Sequence, residues 1–145
     1  MSKINCFYLG DLKCEAKHLQ SGNKIKTDAP LDHCGKGENF SPTDLLATSL
    51  GLCLLTIMAI KARSNGWELE NISLDIEKIM TKNKVRKIEQ LIIDIYVPEE
   101  LPKEKLNFIQ NASKDCPVTR NLSESLDLQV NWHYRKTLQN DFDLK

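Results

Sequence analysis

The chain has no surplus charge of either sign. Its 20 Lys and Arg are balanced by 20 Asp and Glu. A neutral chain offers no electrostatic footprint for nucleic acid or for an anionic membrane surface. It has no glycine-rich phosphate loop, no Gly-x-Ser-x-Gly elbow and no His-Glu-x-x-His motif. No internal repeat and no low-complexity segment is present. Met1-Ser2-Lys3-Ile4-Asn5 lacks the apolar core of a secretion signal. The cysteines are Cys6, Cys14, Cys34, Cys53 and Cys116, an odd number at irregular spacing. That pattern argues against a secreted disulfide scaffold and for a reduced, cytoplasmic protein.

With 145 residues the chain is a single domain, long enough to bury a core. Its longest apolar run, 45–62, is shorter than the roughly 20 apolar residues of a membrane span. It also carries Thr48, Ser49 and Thr56 and ends near Lys61 and Arg63. A central buried helix accounts for it better, and no membrane partner is expected.

The N-terminal third reads as a β-meander. Residues 4–9 and 12–19 form strands about a Gly10-Asp11 turn. Ser21-Gly22-Asn23 turns the chain into a short strand at 24–27. Residues 28–40 are loop. Ser41-Pro42-Thr43-Asp44 announces a helix, with Ser41 as N-cap, Pro42 at the first helical position and an acidic residue completing a capping box. Asn65-Gly66 is the stop signal, so the helix spans 42–64. Two alternating segments, 72–79 and 88–97, read as a hairpin turning at Lys82-Asn83-Lys84. Pro102 opens a second helix with Leu106, Ile109 and Ala112 as its buried stripe. Cys116-Pro117 starts a short third helix. Residues 126–132 form a final strand, and 137–145 form a polar tail. The order implies an α+β fold with mainly antiparallel pairing. The first helix is apolar almost all round, more than one small sheet can cover. A second subunit is the economical cover.

Two cysteines stand in contrasting settings. Cys53 lies inside the apolar helix, where a thiol packs as a small hydrophobe or, given a donor, becomes a nucleophile. Cys116 precedes Pro117, where backbone N–H groups favour a thiolate. Their separation, 116 − 53 = 63 residues, neither brings them together nor keeps them apart. Cys14, His18, His33 and Cys34 do not follow a zinc-ligand spacing, and no metal is expected.

The run Ser41-Pro42-Thr43-Asp44-Leu45-Leu46-Ala47-Thr48-Ser49-Leu50-Gly51-Leu52-Cys53, followed by Asp115-Cys116-Pro117-Val118, resembles the OsmC/Ohr family. The likeness extends to Gly66-Trp67 and covers about residues 9–134. Thr27-Asp28-Ala29-Pro30 and Gly35-Lys36-Gly37-Glu38 resemble the OsmC-like branch.

The resemblance implies an OsmC-like fold, with antiparallel sheets around long central helices in an intertwined homodimer. It implies a cofactor-free hydroperoxide reductase active in oxidative-stress defence. Cys53 would attack a small organic hydroperoxide and become a sulfenic acid. Cys116 would then close a disulfide, and an external dithiol, such as a lipoyl group, would reopen it. Leu50, Leu54 and Ile57 would line the substrate pocket. The family's glutamate ten residues before the reactive cysteine is replaced here by Thr43. Its activating arginine has no counterpart, because no arginine precedes Arg63. Lys17 or His18 falls at that place. A retained thiol pair without these partners also suits a different protein class. That alternative is a non-enzymatic dimer binding an apolar or electrophilic small molecule in the same pocket.

Overall fold

The computed structural model describes residues 1–82 and 85–136. The expected tail at 137–145 and the last two residues of the expected turn, Asn83-Lys84, lie outside the described residues. The chain divides into two compact units, Met1–Leu46 and the part from Ala47 onward.

The first unit is the meander. Strands β1 (Ile4–Gly10), β2 (Lys13–His18) and β3 (Lys24–Asp28) pair antiparallel in chain order. The β1–β2 turn runs through Gly10, Asp11 and Leu12, all at positive φ. The following loop is tied back on itself. Buried Asp28 accepts the Glu38 N–H through Oδ2 at 3.0 Å. A Cβ on Gly35 would overlap the Ala29 carbonyl, so the loop closes only around a glycine.

Helix α1 spans Pro42–Ser64, and both of its ends are chemically sealed. Ser41 Oγ accepts the Asp44 N–H at 3.1 Å, and Asp44 Oδ2 accepts the Ser41 N–H at 2.7 Å. This reciprocal capping box satisfies two donors that the first turn leaves orphaned. At the other end Gly66 takes φ +79°. Its N–H reaches the Arg63 carbonyl and the Trp67 N–H reaches Ala62, which is a Schellman closure.

The second unit packs the rest of α1 with strands β4 (Ser73–Met80), β5 (Ile88–Pro98) and β6 (Asp127–Arg135) and helix α2 (Lys103–Ser113). Alternation along β5 sends Leu91, Ile93, Ile95 and Val97 into the core, all essentially fully buried. Leu50, Leu54 and Met58 come from α1, and Leu106 and Ile109 from α2. Each large side chain withdrawn in this way contributes about 1.5–3 kcal/mol. Gly51 has a specific task. A Cβ there would meet Ile76 Cδ1 at 2.5 Å and Leu74 Cδ1 at 2.9 Å, so the glycine sets how closely α1 lies on β4.

Two expectations change. The sheet β4–β5–β6 is mixed: β4 and β5 are antiparallel, whereas β5 and β6 are parallel. The connection over residues 99–126 carries the chain through α2 and back to the starting end of β5, which is what parallel pairing requires. The expected third helix is a single 3-10 turn at Thr119–Asn121. Cys116 therefore caps no α-helix. It follows α2, its N–H bonded to the Ser113 carbonyl.

Candidate active site

Cys53 lies midway along α1, half-buried at the edge of the core. Cys116 is fully buried. The path from α2 into the 3-10 turn folds Cys116 onto α1, and the two sulfurs come to 2.8 Å. Both are free thiols, and a disulfide bond would require about 2.05 Å. They form a hydrogen-bonded dithiol, with Cys116 placed to donate to Cys53 in the neutral pair.

Burial pushes the Cys53 thiol upward, the Cys116 interaction adds to this, and the Val118 N–H partly opposes it. Burial also acts to raise Cys116. Cys53, the Thr119 hydroxyl, the Thr119 N–H and the Val118 N–H together outweigh it, and Cys116 ends below the ordinary thiol range. The Val118 amide serves both sulfurs, while Thr119 serves Cys116 alone. The pair therefore sheds its first proton below the ordinary thiol range and its second above it. The two thiols titrate as one coupled system.

The expected pocket residues separate. Leu50 is wholly buried in the core, and Ile57 packs against it partly buried. Leu54 lines a cavity of about 610 Å³ together with the apolar Leu128, Val130 and Trp132. Polar side chains of Asn107, Gln110, Asn111, Lys114 and Thr119 also line it.

Lys17 and His18 belong to the meander and, being consecutive in β2, point to opposite faces. The His18 ring is occupied locally: Nδ1 shares a hydrogen bond with Ser21 Oγ at 2.8 Å and Nε2 with Ser2 Oγ at 3.0 Å. Thr43 Oγ1 lies 3.0 Å from Ser41 Oγ, within the capping cluster. Asp44, beside it, is part of the capping box. Among the described residues no group of three or more His, Cys, Asp or Glu side chains is arranged to hold a metal ion. Thr119 was not singled out from the sequence. The only available signal was a hydroxyl three residues after Cys116, which has meaning only once the turn is folded.

A single polypeptide that couples a half-buried thiol to a buried one across two elements defines a dithiol protein of α+β architecture. The profile described as OsmC-like protein matches residues 35–131, and the chain belongs to the OsmC family. Among solved structures it resembles a protein of Psychrobacter arcticus 273-4, proposed there to be an osmotic-stress-induced and detoxification response protein. Identity is 41% and the TM-score 0.81, over 91% of this chain and 94% of that one. An organic hydroperoxide resistance protein OsmC from Legionella pneumophila shares the fold at 16% identity and TM-score 0.73, covering 92% and 96%. The organic hydroperoxide resistance protein OhrB of Bacillus subtilis does so at 15% and 0.68, covering 91% and 97%. None of the curated proteins matches the chain.

Proposed function

We propose that this protein is a thiol-dependent reductase of organic hydroperoxides with Cys53 as attacking thiol and Cys116 as resolving thiol. The observation that carries the reading is the 2.8 Å contact between a half-buried and a fully buried sulfur. The accessible sulfur, as thiolate, attacks the distal peroxide oxygen. The O–O bond breaks, the departing alkoxide takes a proton as an alcohol, and Cys53 becomes a sulfenic acid. The Cys116 thiolate then attacks the Cys53 sulfur and expels hydroxide, which leaves as water. A dithiol reductant, lipoyl groups being one such class, returns both sulfurs to thiols. The second thiol at contact distance closes the disulfide before a second peroxide can overoxidise Cys53.

The same reading includes a homodimer in a reducing, cytoplasmic compartment. Leu46, Leu52 and Ile60 expose apolar side chains along α1, as do Phe7, Tyr8 and Ile25 in the meander. A second copy would cover such surfaces. Lys17 or His18 remains the proposed activator of Cys53. Lys17→Met and His18→Gln test them through the rate of Cys53 oxidation.

One observation favours the ligand-binding alternative: burial raises the Cys53 thiol, which makes it a slower nucleophile at neutral pH. Multiple-turnover consumption of an organic hydroperoxide with dihydrolipoamide decides between the two. Turnover that disappears in Cys53→Ser supports the reductase. Wild-type protein without turnover supports the binding protein.

A further inference from the structure

The cavity of about 610 Å³ has the size of a small-molecule site, for which the usual range is about 300–1,000 Å³. Two faces of unlike chemistry line it. From α2 come Asn107, Gln110, Asn111 and Lys114, spaced i, i+3, i+4 and i+7. Lys114 is the C-cap and keeps right-handed helical angles, so the four share one face of the helix. The buried stripe of that helix is Leu106, Ile109 and Ala112, so the cavity takes its polar side. From β6 come Leu128, Val130 and Trp132, alternate residues and therefore one face of the strand. Among the described lining residues Lys114 alone is charged. Its ammonium donates to Asn111 Oδ1 at 3.2 Å, and it pairs with no carboxylate among the described residues. An ammonium carries three protons, so two remain for an acceptor.

We propose that this cavity is a binding site for a small amphipathic monoanion, of which an aliphatic carboxylate is the simplest member. The hydrocarbon part lies against Leu128, Val130 and Trp132, and the carboxylate accepts from Lys114 and the amides beside it. Charge complementarity sets the sign and the number: one cation stands in the lining and no anion stands with it. The two faces set the rest of the ligand. A wholly polar anion would leave the apolar strand face uncovered. A pure hydrocarbon would strip water from the ammonium and the amides and give nothing back, which is costly. None of the lining residues is a cysteine, so the site is separate from the thiol pair and the inference does not rest on the reductase reading.

Decanoate, below its micellar range, is the probe, and the full chain is used. Equilibrium dialysis should show saturable binding. The chain has two tryptophans, Trp67 and Trp132. In Trp67→Phe the remaining Trp132 fluorescence should change along the same isotherm, which places the ligand in this cavity. Lys114→Gln should weaken decanoate by about tenfold, the effect of a lost hydrogen bond to charge. It should change the affinity for decanol by less than about twofold. Lys114→Arg should keep most of the decanoate affinity. Val130 is 37% exposed, so Val130→Glu should fold, and it should lose both ligands. Should circular dichroism show that it does not fold, Val130→Ser makes the same comparison with a smaller loss. Absence of saturable binding overturns the proposal, and a second copy of the chain seated over the cavity would give that result. Decanol bound as tightly as decanoate, or decanoate indifferent to Lys114→Gln, overturns it too. So does undiminished binding by a folded Val130 variant.

Discussion

The Cys116 sulfur lies 2.8 Å from that of Cys53, a residue 63 positions earlier in the chain. Closing the gap to a covalent bond needs a movement of less than about 1 Å. No unfolding and no transfer of an element is required.

One equivalent of an organic hydroperoxide should therefore yield a single intramolecular disulfide, Cys53–Cys116. Peptide mapping under non-reducing conditions should find it and leave Cys6, Cys14 and Cys34 as thiols. Cys116→Ser should instead accumulate sulfenic and then sulfinic acid on Cys53, read as mass increments on that peptide. A dominant disulfide to one of the other three cysteines would remove the two-thiol cycle.

The pH dependence follows from the split between the thiols. Thiols gain charge by losing protons, so oxidation must quicken as pH rises. Cys116 is lowered and Cys53 raised, so the pair sheds one proton below the ordinary cysteine range and the second above it. The rate of peroxide-driven Cys53 oxidation should climb in two steps. The lower step reports the shared-proton monoanion, in which charge can pass to Cys53 across the contact. Cys116→Ser should leave one step only. A stopped-flow profile from pH 5 to 11 distinguishes these outcomes.

The capping box should matter to stability. Ser41→Ala removes the acceptor for the Asp44 N–H and the hydroxyl contact to Asp44 Oδ2 at 2.6 Å. A loss of about 1–2 kcal/mol is expected in urea denaturation. Ser41→Thr, which retains both the acceptor for the Asp44 N–H and the donor to its carboxylate, should lose less.

Gly51 gives a prediction whose sign depends on two opposing effects. Ala at this mid-helix position gains about 1 kcal/mol of helix propensity. Its Cβ must displace the Ile76 and Leu74 methyl groups, which are the movable ends of flexible side chains. Gly51→Ala should fall within about 1 kcal/mol of wild type. Gly51→Leu cannot be absorbed in this way and should cost about 2–3 kcal/mol. Thermal melts of both variants check the contrast.

The exposed apolar stripe of α1 should hold two copies together. Leu52→Glu combined with Ile60→Glu places two charges on that stripe, where Leu52 is 60% and Ile60 55% exposed in the single chain. Sedimentation should show a wild-type dimer at micromolar concentration and a weakened one in the double variant. A wild-type monomer would contradict the proposed assembly.

Signals confined to a few neighbouring residues were legible in the sequence. The bounds of α1 followed from Ser41-Pro42-Thr43-Asp44 and Asn65-Gly66, because caps are chemistry between residues close in the chain. The buried stripe of α2, Leu106, Ile109 and Ala112, followed from its periodicity. The parallel β5–β6 pairing did not, because alternation says which face is buried and nothing about the partner's direction. Cys116-Pro117 has the form of a helix start, but a single 3-10 turn follows it, because the segment closes into a turn rather than extending. The sulfur contact was not legible in spacing, and only the family resemblance implied it.

The parallel crossover has a mechanical consequence. Cys116 rides on the connection that carries the chain from β5 to β6, while Cys53 is fixed in the helix beneath. When the sulfurs join, that connection is stapled to α1. The staple removes about 4 kcal/mol worth of freedom from the denatured chain on a simple loop-entropy account. Peeling α2 and β6 away from the helix, a direct way for a protease to gain entry, is then closed. The oxidised molecule should outlast the reduced one under proteolysis, so a dithiol that resets the chemistry also restores the chain's exposure to turnover.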